Sequence, residues 1–226
     1  MPATPQTRQW RIAVGAEETG AIYQPAVADA QAVFVCAHGA GGHMADRGME
    51  RLTQGLCERG FDLVRFNFLY RQAGSRRPDP MPRLRQCFEA VVARARAELG
   101  GGKLIIGGRS MGGRVASMMA ADGFACDGLL LFAYPLHPPG QPEKLRVAHL
   151  PQIHVPVLCI NGTRDEFCRR ELMEEALESV RAPWTMHWLD GADHSFRVLK
   201  SYGRNEADVD SEVAEISARW LSRAGT

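Results

Sequence analysis

Four short segments of this chain are apolar almost from end to end: 32–37 (AVFVCA), 103–107 (KLIIG), 128–134 (GLLLFAY) and 156–161 (PVLCIN). A strand with one face in water alternates apolar and polar residues. These do not alternate, so both of their faces must be covered, the condition of strands inside a parallel sheet. Segments 61–68 and 184–189 supply two further strands. Between the strands lie stretches of helical spacing. Residues 46–59 carry Met49, Leu52, Leu56 and Cys57 on one stripe and stop at Gly60, and residues 84–99 end at three glycines. Helices are also expected over 110–121, 169–180 and 208–222. The first 25 residues read as one or two strands around WRIAV, with a turn at Gly20 and Pro25. Strands alternating with helices of this length predict an α/β fold: a mostly parallel, doubly wound sheet with helices on both faces. Without repeats, low-complexity tracts or linkers, residues 1–226 are expected to form a single domain.

Composition removes several function classes. The chain is 45% hydrophobic and 23% charged, unlike a disordered tail or a fibre. Its longest apolar stretch, 129–135, is far shorter than the ~20 residues of a membrane-spanning helix. Lys and Arg number 27 against 26 Asp and Glu, so no strong field favours nucleic acid or an anionic membrane. The opening MPATPQTRQWRIAV lacks a basic segment followed by an apolar one. The six cysteines include no CxxC pair. Reduced thiols and a cytoplasmic location are the expectation.

In an open α/β sheet, ligands bind beyond the carboxyl ends of the strands. After KLIIG stands Gly108-Arg109-Ser110-Met111-Gly112, a G-x-S-x-G between strand and helix. A turn this sharp has no room for a Cβ at 108 or 112. It lifts the Ser110 hydroxyl to a helix N-terminus, where the Met111 N–H can stabilise an oxyanion. Past PVLCIN comes Asp165, and past the strand 184–189 comes His194. The order Ser, Asp, His suits a triad in which His194 takes the serine proton and Asp165 holds the imidazole. Glu166 and Asp193 are alternatives for the acid.

AVFVCA runs into His38-Gly39-Ala40-Gly41-Gly42, whose backbone can aim a second N–H, from Ala40 or Gly41, at the same oxyanion. Gly41, His43 and Arg109 are expected to contact substrate. His38 is expected to brace its loop, and His187, within a strand, to be structural.

The segments HGAGG, GGRSMGGR, YPLHPPG, NGTRDEF and GADHSF together resemble the α/β-hydrolase superfamily, over nearly the whole chain. The likeness is to its small, cap-less kind, similar to dienelactone hydrolases. More narrowly it is to a group of hydrolases related to a mammalian testis-expressed protein and to a scaffold subunit of the NSL acetyltransferase complex. The resemblance implies Ser110, Asp165 and His194 as the triad. Dienelactone hydrolases proper use a cysteine nucleophile, whereas position 110 is serine, so their substrate specificity is not carried over.

The expected activity is that of a serine hydrolase acting on an ester, thioester or similar acyl group of a small molecule. A scaffold of the same fold with little turnover and an acyl transferase are the other readings. No cofactor is expected. Neither HEXXH nor a third ligand near His38 and His43 suggests a metal. With no inserted cap, an open cleft is expected, walled in part by the loop PLHPPGQP. Arg65, Arg71, Arg76, Arg77, Arg83 and Arg85 form a local basic run that is either solvated or attracts an acidic ligand.

Overall fold

A computed structural model of the protein describes residues 6–223. Strands β1 (Arg8–Val14) and β2 (Glu17–Gln24) form an antiparallel hairpin with Val14 opposite Glu17. The two-residue turn starts at Gly15, which sits at φ +61°, the position where a tight hairpin turn favours glycine. The turn expected at Gly20 is therefore absent. Gly20 lies inside β2, opposite Arg11. The alternately buried Thr19, Ala21 and Tyr23 carry the strand through it.

Strands β3 (Ala32–Ala37), β4 (Phe61–Phe66), β5 (Lys103–Arg109), β6 (Gly128–Phe132), β7 (Val157–Gly162) and β8 (Trp184–Leu189) complete one sheet. Its order is β1-β2-β4-β3-β5-β6-β7-β8. All pairings from β4 to β8 are parallel, and only the hairpin and its junction with β4 are antiparallel. Every residue of β3, β6 and β7 is buried, as the apolar runs require.

Helices α1 (Arg47–Cys57), α2 (Leu69–Gln72), α3 (Met81–Leu99), α4 (Met111–Ala121), α5 (Arg170–Leu177) and α6 (Glu206–Arg223) connect and flank the strands. Period-2 alternation along the strands builds two apolar layers. Phe34, Leu130, Phe132 and Ile160 pack with Leu56 of α1 and Val213 and Trp220 of α6. Val35, Ile106, Leu131 and Cys159 pack on the other side with Val91 of α3 and Val115 and Met119 of α4.

Among the boundaries that differ from expectation, two are instructive. α3 starts at Met81 rather than Leu84, because Pro82 is tolerated in a first helical turn. β5 runs on to Arg109, which carries the chain directly into the turn at Ser110.

Candidate active site

The turn between β5 and α4 is held by close backbone packing. A Cβ on Gly108, itself at φ +140°, would lie 2.1 Å from the Ala37 carbonyl oxygen, and one on Gly112 would lie 2.5 Å from the same atom. Ser110 occupies the N-cap position of α4 at φ 49° and ψ −115°, a region that costs a non-glycine residue about 1–3 kcal/mol. Its N–H donates to the Phe132 carbonyl at 2.8 Å. Its side chain makes no cap bond to the helix. Instead, Ser110 Oγ lies 2.9 Å from Nε2 of His194.

The other imidazole nitrogen, Nδ1, is 2.9 Å from both carboxylate oxygens of Asp165. Asp165 is 4% exposed. It also accepts from the Phe167 N–H at 2.9 Å and from the Asn161 side-chain amide at 3.1 Å. The acid, imidazole and hydroxyl thus form one continuous hydrogen-bonded line. The alternatives for the acid point elsewhere. Asp193 Oδ1 accepts from the N–H groups of Ser195 and Arg197, closing its own turn, and Glu166 is exposed.

Two residues that sequence reasoning missed hold this site, one behind the acid and one behind the HGAGG loop. Asn161 is fully buried. Its oxygen accepts from the Tyr134 N–H at 3.0 Å, and its nitrogen donates to the Tyr134 carbonyl at 3.1 Å as well as to Asp165. Tyr70 donates its hydroxyl to the Ala40 carbonyl at 2.8 Å. Asn161 reads in sequence as the last polar residue of PVLCIN, and Tyr70 as part of a polar loop.

The HGAGG loop stands against the serine, since a Cβ on Gly39 would lie 3.5 Å from Ser110 Cβ. Among the described residues, the N–H groups of Ala40, Gly41 and Met111 have no hydrogen-bond acceptor. His38 is buried beneath this loop. Its Nε2 accepts from the Phe68 N–H at 3.1 Å, so its proton sits on Nδ1 and is donated to the Gly39 carbonyl at 2.7 Å. Burial pulls its pKa down to about 4, so it remains a neutral brace.

These groups meet in an open cleft of about 610 Å³ whose lining includes Ala40, Gly41, Arg109, Ser110, Phe167 and His194. The Phe167 ring lies 4.2 Å from the His194 ring, centroid to centroid. Arg109 donates to the His194 carbonyl at 2.8 Å and lies over the Phe196 ring, so it braces the histidine loop while facing the cleft.

Several expected contributors lie elsewhere. His43 does not line the cleft; its Nε2 pairs with Asp46 at 2.9 Å. The PLHPPGQP loop does not wall the cleft. It buttresses the back of the acid, with the His137 N–H donating to the Phe167 carbonyl and His137 Nε2 accepting from the Arg169 N–H. The Arg65–Arg85 run is largely spent on structure. Arg65 is buried and donates to the Met44 carbonyl, Arg83 pairs with Glu17 and Asp79, and Arg85 pairs with Asp122.

A second serine–histidine contact, Ser117 Oγ to His149 Nε2 at 2.8 Å, lies away from the cleft, with Ser117 fully buried. All six cysteines are unpaired, and burial pushes the Cys36, Cys57 and Cys87 thiols up to about 12, far from the thiolate form. A hollow of about 480 Å³ between β8 and α6, walled by Met186, Ile216 and Trp220, brings no nucleophile and base together. His187, in its wall, pairs with Glu212 at 2.7 Å.

Residues 30–222 match the alpha/beta hydrolase domain family. Solved structures superpose over nearly the full length. One is an alpha-beta serine hydrolase homologue from Coxiella burnetii, 19% identical, TM-score 0.76, covering 92% of this chain and 96% of that one. Another is an α/β serine hydrolase without lid from Xanthomonas campestris, 22% identical, TM-score 0.76, with 98% and 97% covered. A third is a dienelactone hydrolase from Anabaena variabilis, 18% identical, TM-score 0.75, with 97% and 98% covered. The fold is therefore that of an α/β hydrolase, with no separate cap domain.

Proposed function

Because the chain belongs to the alpha/beta hydrolase domain family, we propose that it is a serine hydrolase cleaving an ester, thioester or related acyl bond of a small molecule. The observation that carries this reading is the line Asp165–His194–Ser110, with 2.9 Å at each step. With its proton on Nδ1 and donated to Asp165, the imidazole presents a bare Nε2 to the serine hydroxyl. Nε2 takes the Oγ proton as Ser110 attacks the acyl carbonyl. Asp165 stabilises the imidazolium so formed, and its own bonds to Asn161 and Phe167 keep the ring in line.

The N–H of Met111 and that of Ala40, with Gly41 beside it, are free to bind the tetrahedral oxyanion. One such donor is worth about 2.7–4 kcal/mol of barrier. The proton on Nε2 then passes to the leaving alcohol or thiol. The acyl-enzyme is released by water, activated by the same nitrogen. No described helix is long and apolar enough to cross a membrane, in keeping with the cytoplasmic location we propose.

Labelling with a fluorophosphonate probe and hydrolysis of p-nitrophenyl acetate test the assignment together. The wild-type chain is expected to do both and folded Ser110→Ala neither. Wild-type rates in that variant overturn the role of Ser110. A wild-type chain that neither labels nor turns over is instead a scaffold of the same fold.

A further inference from the structure

The cleft has an unusual charge balance. Its lining holds four arginines, Arg47, Arg51, Arg109 and Arg197, against two acids, Asp46 and Glu206. Glu206 is already paired with Arg51, which also meets Asp210 at 3.0 Å. Asp46 is occupied by His43, through its ring nitrogen on one oxygen and its backbone N–H on the other. Among the described residues, Arg47, Arg109 and Arg197 therefore have no carboxylate oxygen within 4.0 Å, whereas Arg11, Arg83, Arg85, Arg94 and Arg170 each do. The three stand on separate elements around Ser110: the end of β5, the start of α1 and the loop after His194. Met49 and Phe167 are the only large apolar side chains in the lining, so the cleft offers little to a long neutral acyl chain.

We propose that the substrate of this cleft carries an anionic group, a carboxylate or phosphate, seated by the Arg47, Arg109 and Arg197 guanidinium groups. The inference rests on the serine-hydrolase reading and narrows it to a substrate class. A guanidinium fork matches the oxygens of carboxylate and phosphate. Asp193, Asp165 and Asp46 act on Arg109 from a distance, but a lining with more arginines than acids still draws anions toward the nucleophile. Arg109 is fixed in advance by the His194 carbonyl and the Phe196 ring, and Arg47 and Arg197 stand exposed at the rim.

Two matched substrate pairs locate the charge. Mono-p-nitrophenyl glutarate and p-nitrophenyl valerate differ by a carboxylate on the acyl side. The butyryl thioesters of 4′-phosphopantetheine and pantetheine differ by one phosphate on the leaving-group side. In at least one pair the anionic member is expected to have a kcat/KM about tenfold higher at low ionic strength, and the advantage should shrink as salt is added. The double variant Arg47→Gln, Arg197→Gln, its folding checked by circular dichroism, is expected to bring that ratio close to parity.

Equal rates within both pairs, or a preference that survives the double variant, overturn the inference while leaving the hydrolase reading intact. If neither turnover nor fluorophosphonate labelling occurs, the hydrolase reading fails. Calorimetric binding of glutarate to the wild-type chain, lost in the double variant, would then still support the anion seat. Its absence would end that inference too.

Discussion

Replacing Gly112 by alanine separates the geometry of the nucleophile from the stability of the fold. The added Cβ would lie 2.5 Å from the Ala37 carbonyl oxygen and 2.7 Å from Ala37 Cβ. Ordinary contact begins at 3.4 Å, so α4 and β3 must part by about 0.9 Å. Neither neighbour is a flexible side chain that can swing aside. Overpacking of this kind costs about 1–3 kcal/mol, and alanine's better helix propensity returns up to about 1 kcal/mol. The net destabilisation is therefore about 0–2 kcal/mol, which a cooperative fold can absorb. Activity has no such offset, because the displaced turn carries Ser110. A misplacement near 1 Å costs about 10²-fold in rate, equivalent to about 2.7 kcal/mol of barrier. Initial rates on p-nitrophenyl acetate, measured beside urea unfolding midpoints, are expected to show kcat/KM down about 100-fold in a protein that still folds cooperatively. A Gly112→Ala enzyme working at the wild-type rate would refute the claim that packing against Ala37 positions the serine.

Three other outcomes are expected. Ser110→Gly removes the nucleophile and relieves the φ 49° backbone, so thermal unfolding should show a gain of about 1 kcal/mol alongside lost hydrolysis; a loss of stability would show that the turn stores no strain. Asn161→Ala leaves the buried Tyr134 N–H without an acceptor and takes one donor from the Tyr134 carbonyl and from Asp165, which keep the Leu136 N–H and the His194 imidazole; this should cost about 1–3 kcal/mol in urea unfolding and slow hydrolysis about tenfold, and unchanged stability would contradict the clamp. His38, held by burial at about 4 against 6.5 when unfolded, binds fewer protons folded than unfolded. Its contribution is complete above pH 6.5 and is lost as pH falls through 4, by up to about 3 kcal/mol. His149, also lowered to about 4 by burial, adds a loss of the same sign. Urea midpoints between pH 7.5 and 4.5 test this, with His38→Asn expected to flatten the profile.

The features that were legible in the sequence are those set by local pattern. Continuous apolar runs mark strands covered on both faces, and G-x-S-x-G between a strand and a helix marks the sharp turn. Asp165 and His194 lie just past strand ends, where chain order alone suggests partnership. What escaped depends on distant contacts. Asn161 matters because of a peptide 27 residues away, and Tyr70 because of a carbonyl 30 residues away. The Arg65–Arg85 run drew notice by being dense, yet Arg65, Arg71, Arg83 and Arg85 turn to acids and carbonyls of their own. The arginines facing the cleft are scattered at 47, 109 and 197 and form no visible cluster. Gly20 misled because glycine suggests a turn, whereas the alternation of its neighbours kept it in a strand.

The N-terminal hairpin has a consequence for solubility. β2 pairs with β4 through Ala21–Gln24, and β4 is mostly apolar and almost wholly buried. Left bare, such a border would invite strands from other molecules and seed aggregates. The hairpin replaces it with an outermost strand, β1, that turns Arg8, Gln9 and Arg11 to water, with Arg11 bonded across to Glu18. Charged side chains there discourage sheet-to-sheet joining, so this short segment, remote from the cleft, guards the protein against self-templating.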